Sequence, residues 1–208
     1  MLDGYVSEKE QLESIKKWWD NNGKFIAIAI IIGLLLGFAW RYWHQMQLRL
    51  DDNASMLYQS VVVADAKNNF KTAQGGAAIL MKNFANTPYA SLAALLSAKE
   101  WAEQKQYDQA MTQYQWVITH SNVTRLQQIA RISAASLLLT RNQPDAALKI
   151  ISVVNDKHFE PLIAWVKGDI DMQKGDIKNA RKNYQIAKNA LAPFPPAANY
   201  LSQLMSSN

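Results

Sequence analysis

The chain has no cysteine. This excludes a disulfide scaffold, a catalytic thiol and Cys-ligated zinc, and it suits an oxidising compartment. Charge is scarce as well, at 19% of 208 residues against 49% hydrophobic. There is too much apolar surface for a disordered chain. The net charge of +5 carries no basic cluster: residues 1–43 hold five basic and five acidic residues, and the excess falls over 44–208. Nucleic-acid binding needs a concentrated patch or stripe, so no nucleic-acid partner is expected.

Chemistry is equally thin. His44, His120 and His158 are scattered, with no second ligand at metal-binding helical spacing. Gly75-Gly76 lacks the Lys-Ser/Thr of a phosphate loop, and Ser55, Ser91 and Ser97 lack nucleophile-elbow glycines. Glu100 and Glu103 share a helix with Lys99 and read as a solvated face. No acid, base, nucleophile or metal set emerges, so neither an enzyme nor a cofactor is expected.

From Phe25 to Trp40 there is no charge at all. A spanning helix needs about 17–25 apolar residues, and the run reaches Trp43 if Arg41 snorkels to the headgroups. Trp18 and Trp19 precede the run, and Trp40, Tyr42 and Trp43 close it, as water–lipid boundaries favour. A core helix is the alternative, but such helices are seldom apolar on every face. A cleaved signal peptide competes through the small-x-small triplet Gly37-Phe38-Ala39. The long acidic N-terminal region and a mature chain starting at Trp40 argue for an uncleaved anchor. Lys9, Lys16, Lys17 and Lys24 against Arg41 and Arg49 place the N-terminus in the cytoplasm. The expected division is a cytoplasmic tail 1–24, a span 25–43 and a periplasmic domain 44–208. Ala29, Gly33 and Gly37 stack on one helix face, where small residues let another membrane helix approach.

The tail reads as an amphipathic helix, with Ser7 and Glu10 as a capping box and Leu12, Ile15 and Trp19 on one side. Asn21-Asn22-Gly23 is expected to stop it. After the span no Gly or Pro intervenes before Gly75, so the membrane helix is expected to continue to about Ala66.

The remaining chain repeats itself. Gln-Tyr107-Asp-Gln-Ala110, Gln-Pro144-Asp-Ala-Ala147 and Asp-Ile177-Lys-Asn-Ala180 align, with the alanines 37 and 33 residues apart. Four residues on stand Tyr114, Ile151 and Tyr184; twelve before stand Ala98, Ala135 and Gly168. Nine before come Trp101 and Leu138, but Asp171 breaks the third copy. A period near 34 with this spacing resembles the tetratricopeptide repeat, a helix–turn–helix whose small residues mark close crossings. The expected fold is all-α: one transmembrane helix, then an α-solenoid of degenerate tetratricopeptide-like pairs. The stretch 53–86 reads as a further pair without a legible motif. A short helix near Ala197–Met205, after Pro193, Pro195 and Pro196, is expected to cap the stack.

In the tetratricopeptide pattern the first helices line the groove. The matching positions here are Leu95, Lys99 and Glu103; Ile132, Ser136 and Thr140; Trp165, Asp169 and Gln173. That mixture of apolar anchors and polar rim suits protein binding.

Taken together, Ile15-Lys16-Lys17-Trp18-Trp19, Asn22-Gly23-Lys24, the glycine-bearing span and Trp40-Arg41-Tyr42-Trp43 resemble the YfgM family of bacterial inner-membrane proteins. Asp145-Ala-Ala147-Leu148-Lys149 and Lys174-Gly175-Asp176-Ile177-Lys178-Asn179-Ala180-Arg181 extend the likeness into the repeats. The resemblance implies an ancillary subunit of the SecYEG translocon. It also implies partnership with the membrane-anchored periplasmic chaperone PpiD in assisting secreted proteins. The alternative is a structural scaffold of another envelope complex, for cell division or outer-membrane assembly.

Overall fold

A computed structural model describes residues 8–191. The capping box at Ser7 and the capping helix near 197–205 lie outside the described residues. Among the described residues the chain is helical throughout, with eight α-helices, one short 3-10 turn and no strand. It falls into two units, Met1–Arg49 and Leu50–Asn208.

Helix α1 runs from Glu8 to Ala66 without interruption. The expected stop at Asn21-Asn22-Gly23 does not occur. The Asn22 side-chain amide donates to the Trp18 carbonyl at 3.0 Å, four residues back, and so bonds along the helix instead of ending it. Gly23 lies beneath the Trp19 ring, whose Nε1 stands 3.2 Å from where a Cβ would be. The apolar run is continuous with these turns, and its hydrophobic stretch is not buried anywhere in the protein. It is long and apolar enough to cross a membrane. A core helix would be covered; this one is bare on every face.

The second unit is a stack of helix pairs: the end of α1 with α2 (Phe70–Asn83), α3 (Pro88–Glu103) with α4 (Tyr107–His120), α5 (Thr124–Thr140) with α6 (Pro144–Ile151), and α7 (Glu160–Gln173) with α8 (Ile177–Ala190). Pro stands in the first turn of α3, α6 and α7, where its missing N–H costs nothing.

One turn joins every pair. The amides of Asn69, Gln106, Gln143 and Asp176 donate to the carbonyls of Ala64, Trp101, Leu138 and Asp171, five residues back, at 2.8–2.9 Å. The residue before each donor is left-handed: Asn68, Lys105, Asn142 and Gly175, with φ of 55°, 60°, 59° and 79°. This is the Schellman geometry that closes a helix. It lies five residues before Ala73, Ala110, Ala147 and Ala180, so the first pair keeps the register although its motif is illegible.

The core is built from local pieces. One cluster joins Ala54, Val61 and Ala64 of α1 to Ala73, Ala77 and Leu80 of α2 and Ala90 and Ala93 of α3. The next runs through α3, α4 and α5, with Tyr114 and Val117 inside it. A third packs Ile151, Ile163 and Ile170 across α5, α6 and α7. The last holds Ala164, Ala180, Tyr184 and Ala187 of α7 and α8. Alanine dominates these clusters, which lets helices approach closely.

Helix α6 ends early, at Ile151, and a loop leads to the 3-10 turn Lys157–Phe159. The loop is tied back to α5. The Asn155 amide donates to Oε1 of the fully buried Gln128, and its side-chain amide to Oε1 of Gln127, both at 2.7 Å.

Candidate protein-binding surface

The small positions sit where helices cross. Ala98, Ala110, Ala135, Ala147 and Ala180 are fully buried. Gly168 is buried on α7, and a Cβ there would enter the ring of Tyr184 on α8. In the first pair the sizes are exchanged: Val61 fills the α1 side, and Gly76 and Ala77 make room on α2.

The nine groove positions divide by copy. Leu95 is half-buried against the cluster around α4, while Lys99 and Glu103 form an exposed ion pair at 3.6 Å. Ile132 is half-buried on α5, against the cluster shared with α6 and α7. Ser136 donates to the Ile132 carbonyl at 3.1 Å, and Thr140 to that of Ser136 at 3.2 Å, so both hydroxyls serve their own helix. Trp165 is half-buried against the cluster of α7 and α8.

Three of the nine do meet. Ser136, Asp169 and Gln173, with Leu139, Met172 and Tyr184, line an open cavity of about 410 Å³ where α5 and α7 run side by side. Gln173 donates to the Leu139 carbonyl at 3.0 Å, and Tyr184 to Asp169 at 2.7 Å. Burial raises the Asp169 carboxyl above its ordinary value, against the lowering effect of the Tyr184 hydroxyl. The floor is therefore polar but already hydrogen-bonded, with Leu139 and Met172 as apolar walls. Asp171, which breaks the repeat pattern, accepts from Asn183 at 2.8 Å and so replaces apolar packing with a bond to α8.

A second cavity, of about 400 Å³, went unrecognised in the sequence. It lies among α2, α3 and α4, walled by Met81, Lys82, Ser97, Trp101, Gln113 and Trp116. Trp116 stacks on His120, with ring centroids 4.9 Å apart. Trp101 belongs to the repeat pattern, but Trp116 does not, and only the fold brings the two indoles to one recess.

Glu100 requires correction. The charge pattern of Lys99, Glu100 and Glu103 predicts a solvated face, yet Glu100 is 2% exposed. Helix α3 packs against α2, α4 and α5, so only a narrow strip of it meets water, and Glu100 lies outside that strip. Burial, and then the Asp65 carboxyl at the end of α1, push Glu100 up to about 7. Gln74 of α2 opposes the rise and Glu103 adds to it slightly.

In the first unit Ala29, Gly33 and Gly37 are exposed along the spanning helix. A Cβ at Gly33 or Gly37 would meet nothing within 4 Å. Their smallness therefore serves no contact inside the chain. Among the described residues no three His, Asp or Glu side chains gather as a metal site.

Comparison with known proteins adds the family. Residues 16–202 match the family described as "Tetratricopeptide repeat-like domain". A protein named "Ancillary SecYEG translocon subunit" from Escherichia coli (strain K12) is 26% identical over 207 residues, covering 100% of this chain and 98% of its own. Proteins of the same name are 30% identical in Aggregatibacter actinomycetemcomitans and 26% identical in Haemophilus influenzae. They cover 88% and 89% of this chain, and 89% and 90% of their own lengths.

Proposed function

Because the chain belongs to the ancillary SecYEG translocon subunit family, with its tetratricopeptide repeat-like domain, we propose that it is a non-enzymatic, single-pass accessory subunit of that translocon. Its N-terminus stands in the cytoplasm and its repeat domain in the periplasm. The lysine bias of the N-terminal flank supports this orientation.

Two surfaces divide the work. The Ala29/Gly33/Gly37 face packs against a translocon helix. Lipid gives no hydrophobic drive for helix association, so close approach of small residues must supply it. The open space around both glycines supports an external occupant. The cavity between α5 and α7 is the observation that carries the second role: it holds an apolar side chain of a PpiD-like chaperone or an emerging secreted protein. Leu139 and Met172 grip that side chain, and the bonded Asp169–Tyr184 pair keeps the floor rigid.

Co-purification from solubilised membranes tests the division. Gly33→Leu fits the isolated helix but blocks close approach, so translocon subunits should be lost and the chaperone kept. Ser136→Trp fills the cavity from an exposed position, so the chaperone should be lost and the translocon kept. If both folded variants keep every partner, or if only division or outer-membrane components co-purify, the reading fails.

A further inference from the structure

The charge excess over 44–208 includes one concentration. Helix α8 carries Lys178, Arg181, Lys182 and Lys188 and no acidic residue. Lys178, Arg181 and Lys182 lie at i, i+3 and i+4 and are all exposed, on the face opposite the buried Ala180, Tyr184 and Ala187. Gln185 and Asn189 continue that face without charge, and the half-exposed Ile186 flanks it.

Four other exposed cations of the domain are paired, whereas isolated lysines such as Lys71 and Lys149 are not, among the described residues. Arg141 pairs with Asp108 at 2.8 Å, Lys174 with Asp145 at 2.7 Å, Arg125 with Asp156 at 3.4 Å and Lys99 with Glu103 at 3.6 Å. Arg181 and Lys182 have no ion pair among the described residues. Lys178 has only the field of Asp176, which is itself engaged by the Asn179 backbone and side-chain amides. Residues 192–208 contain no Asp or Glu to pair with them. Like charges at i, i+4 repel, so Lys178 and Lys182 weaken the helix that carries them.

We propose that this face of α8 binds the anionic headgroups of the bilayer that the chain's own helix spans. The proposal rests on the single-pass reading above. Three observations favour lipid over an acidic polypeptide. Lys178, Arg181 and Lys182 are all exposed within about one turn on a single helix face, which suits a sheet of headgroups. Ala180, Tyr184 and Ala187 of α8 are buried, while the exposed Ile177 and Ile186 flank the cations, a cationic face with an apolar margin that suits the headgroup layer. The spanning helix tethers the domain, so even weak attraction acts at high effective concentration. Each Lys or Arg near an anionic surface is worth roughly fivefold in binding, and the effect falls off within a Debye length. Three such cations give a contact that forms and breaks readily.

The test uses the full chain reconstituted with its repeat domain outside vesicles. One set is phosphatidylcholine alone; in the other, phosphatidylglycerol replaces part of it. Acylation rates of Lys178 and Lys182 are read by mass spectrometry against Lys71 and Lys149, which are exposed on α2 and α6. In the anionic vesicles Lys178 and Lys182 should react several-fold more slowly than the reference lysines, and high salt should abolish the difference. Arg181→Gln should weaken the protection of both while leaving circular dichroism unchanged. Equal ratios in the two vesicle types would overturn the proposal, as would equal protection of Lys71 and Lys149. Protection absent with lipid but produced by added poly-glutamate would assign the face to an acidic protein instead.

Discussion

The first and last helix pairs of the repeat domain share one turn but solve the crossing in opposite ways. In the last, α7 gives up its side chain at Gly168 and α8 supplies the bulk with Tyr184. In the first, α1 supplies Val61 and α2 recedes to Gly76 and Ala77. Both turns place the amide after a left-handed residue on the carbonyl five residues back. The repeat is thus defined by a turn register and by the volume shared between two facing positions. Which helix contributes the volume is free, because close packing constrains the sum more than its division.

The sharpest way to break this comparison is to exchange the two solutions. Tyr184→Ala should cost about 3–5 kcal/mol, from the cavity and from the lost bond to Asp169. Gly168→Val alone should cost roughly 1–3 kcal/mol through overpacking. If shared volume is the rule, the double variant should cost clearly less than the sum in denaturant unfolding. Strict additivity would mean that the two positions do not share one space.

The first pair differs again in holding a charge-bearing group at its border. Glu100, facing Asp65 and Gln74, is raised from 4.5 to about 7. The folded state therefore holds this proton more tightly than the unfolded chain. Its contribution is full below the ordinary carboxylate range and is lost as pH rises towards about 7. Unfolding measured across that interval should show stability falling by an amount on the order of a few kcal/mol. Glu100→Gln should flatten the profile and be the more stable protein above neutrality. An unchanged slope would remove Glu100 as its source.

Gly76→Ala tests the first pair alone. A Cβ there would stand 2.5 Å from Val61 Cγ2, and the overpacking should cost roughly 1 kcal/mol or somewhat more. Val61→Ala in the same chain should recover part of that loss at the crossing, seen as a non-additive pair in thermal unfolding.

The smallest effects belong to the shared turn. Gly175→Ala forces a side chain into the left-handed region and should cost about 1 kcal/mol. Lys105→Gly relieves the same strain and should stabilise, by less than about 1 kcal/mol because glycine loses more freedom on folding. Asn142→Gly should change little, since asparagine tolerates this conformation. Opposite signs at equivalent positions would show that the turn, and not its residue, is what repeats.

These differences explain what the sequence could disclose. The spanning helix was legible because absence of charge over Phe25–Trp40 has few other causes. The last three pairs were legible because alanine recurs at 110, 147 and 180 with bulk four residues later. The first pair was not, because its volumes are exchanged: Val61 stands at the small position, and Ala77 where the other pairs carry bulk. The burial of Glu100 is not legible, because local charge pattern says nothing about a helix enclosed on several sides. The expected helix stop failed because Asn22 found a carbonyl along the helix, a choice that composition does not reveal. Of the groove, only Ser136, Asp169 and Gln173 converge, since that depends on how α5 and α7 are spaced. The Trp101–Trp116 recess was not legible because Trp116 lies outside the repeat motif.

The division of the core into short-range clusters also has a consequence for the order in which the domain assembles. Among the described residues, the buried members of each cluster come from two or three consecutive helices, so the pairs can close one after another. Low contact order of this kind favours rapid folding. A chain made from its N-terminus can therefore add one finished pair to the last as it lengthens. It need not wait for its C-terminal residues, and it never holds more than a single pair's apolar surface open to its surroundings.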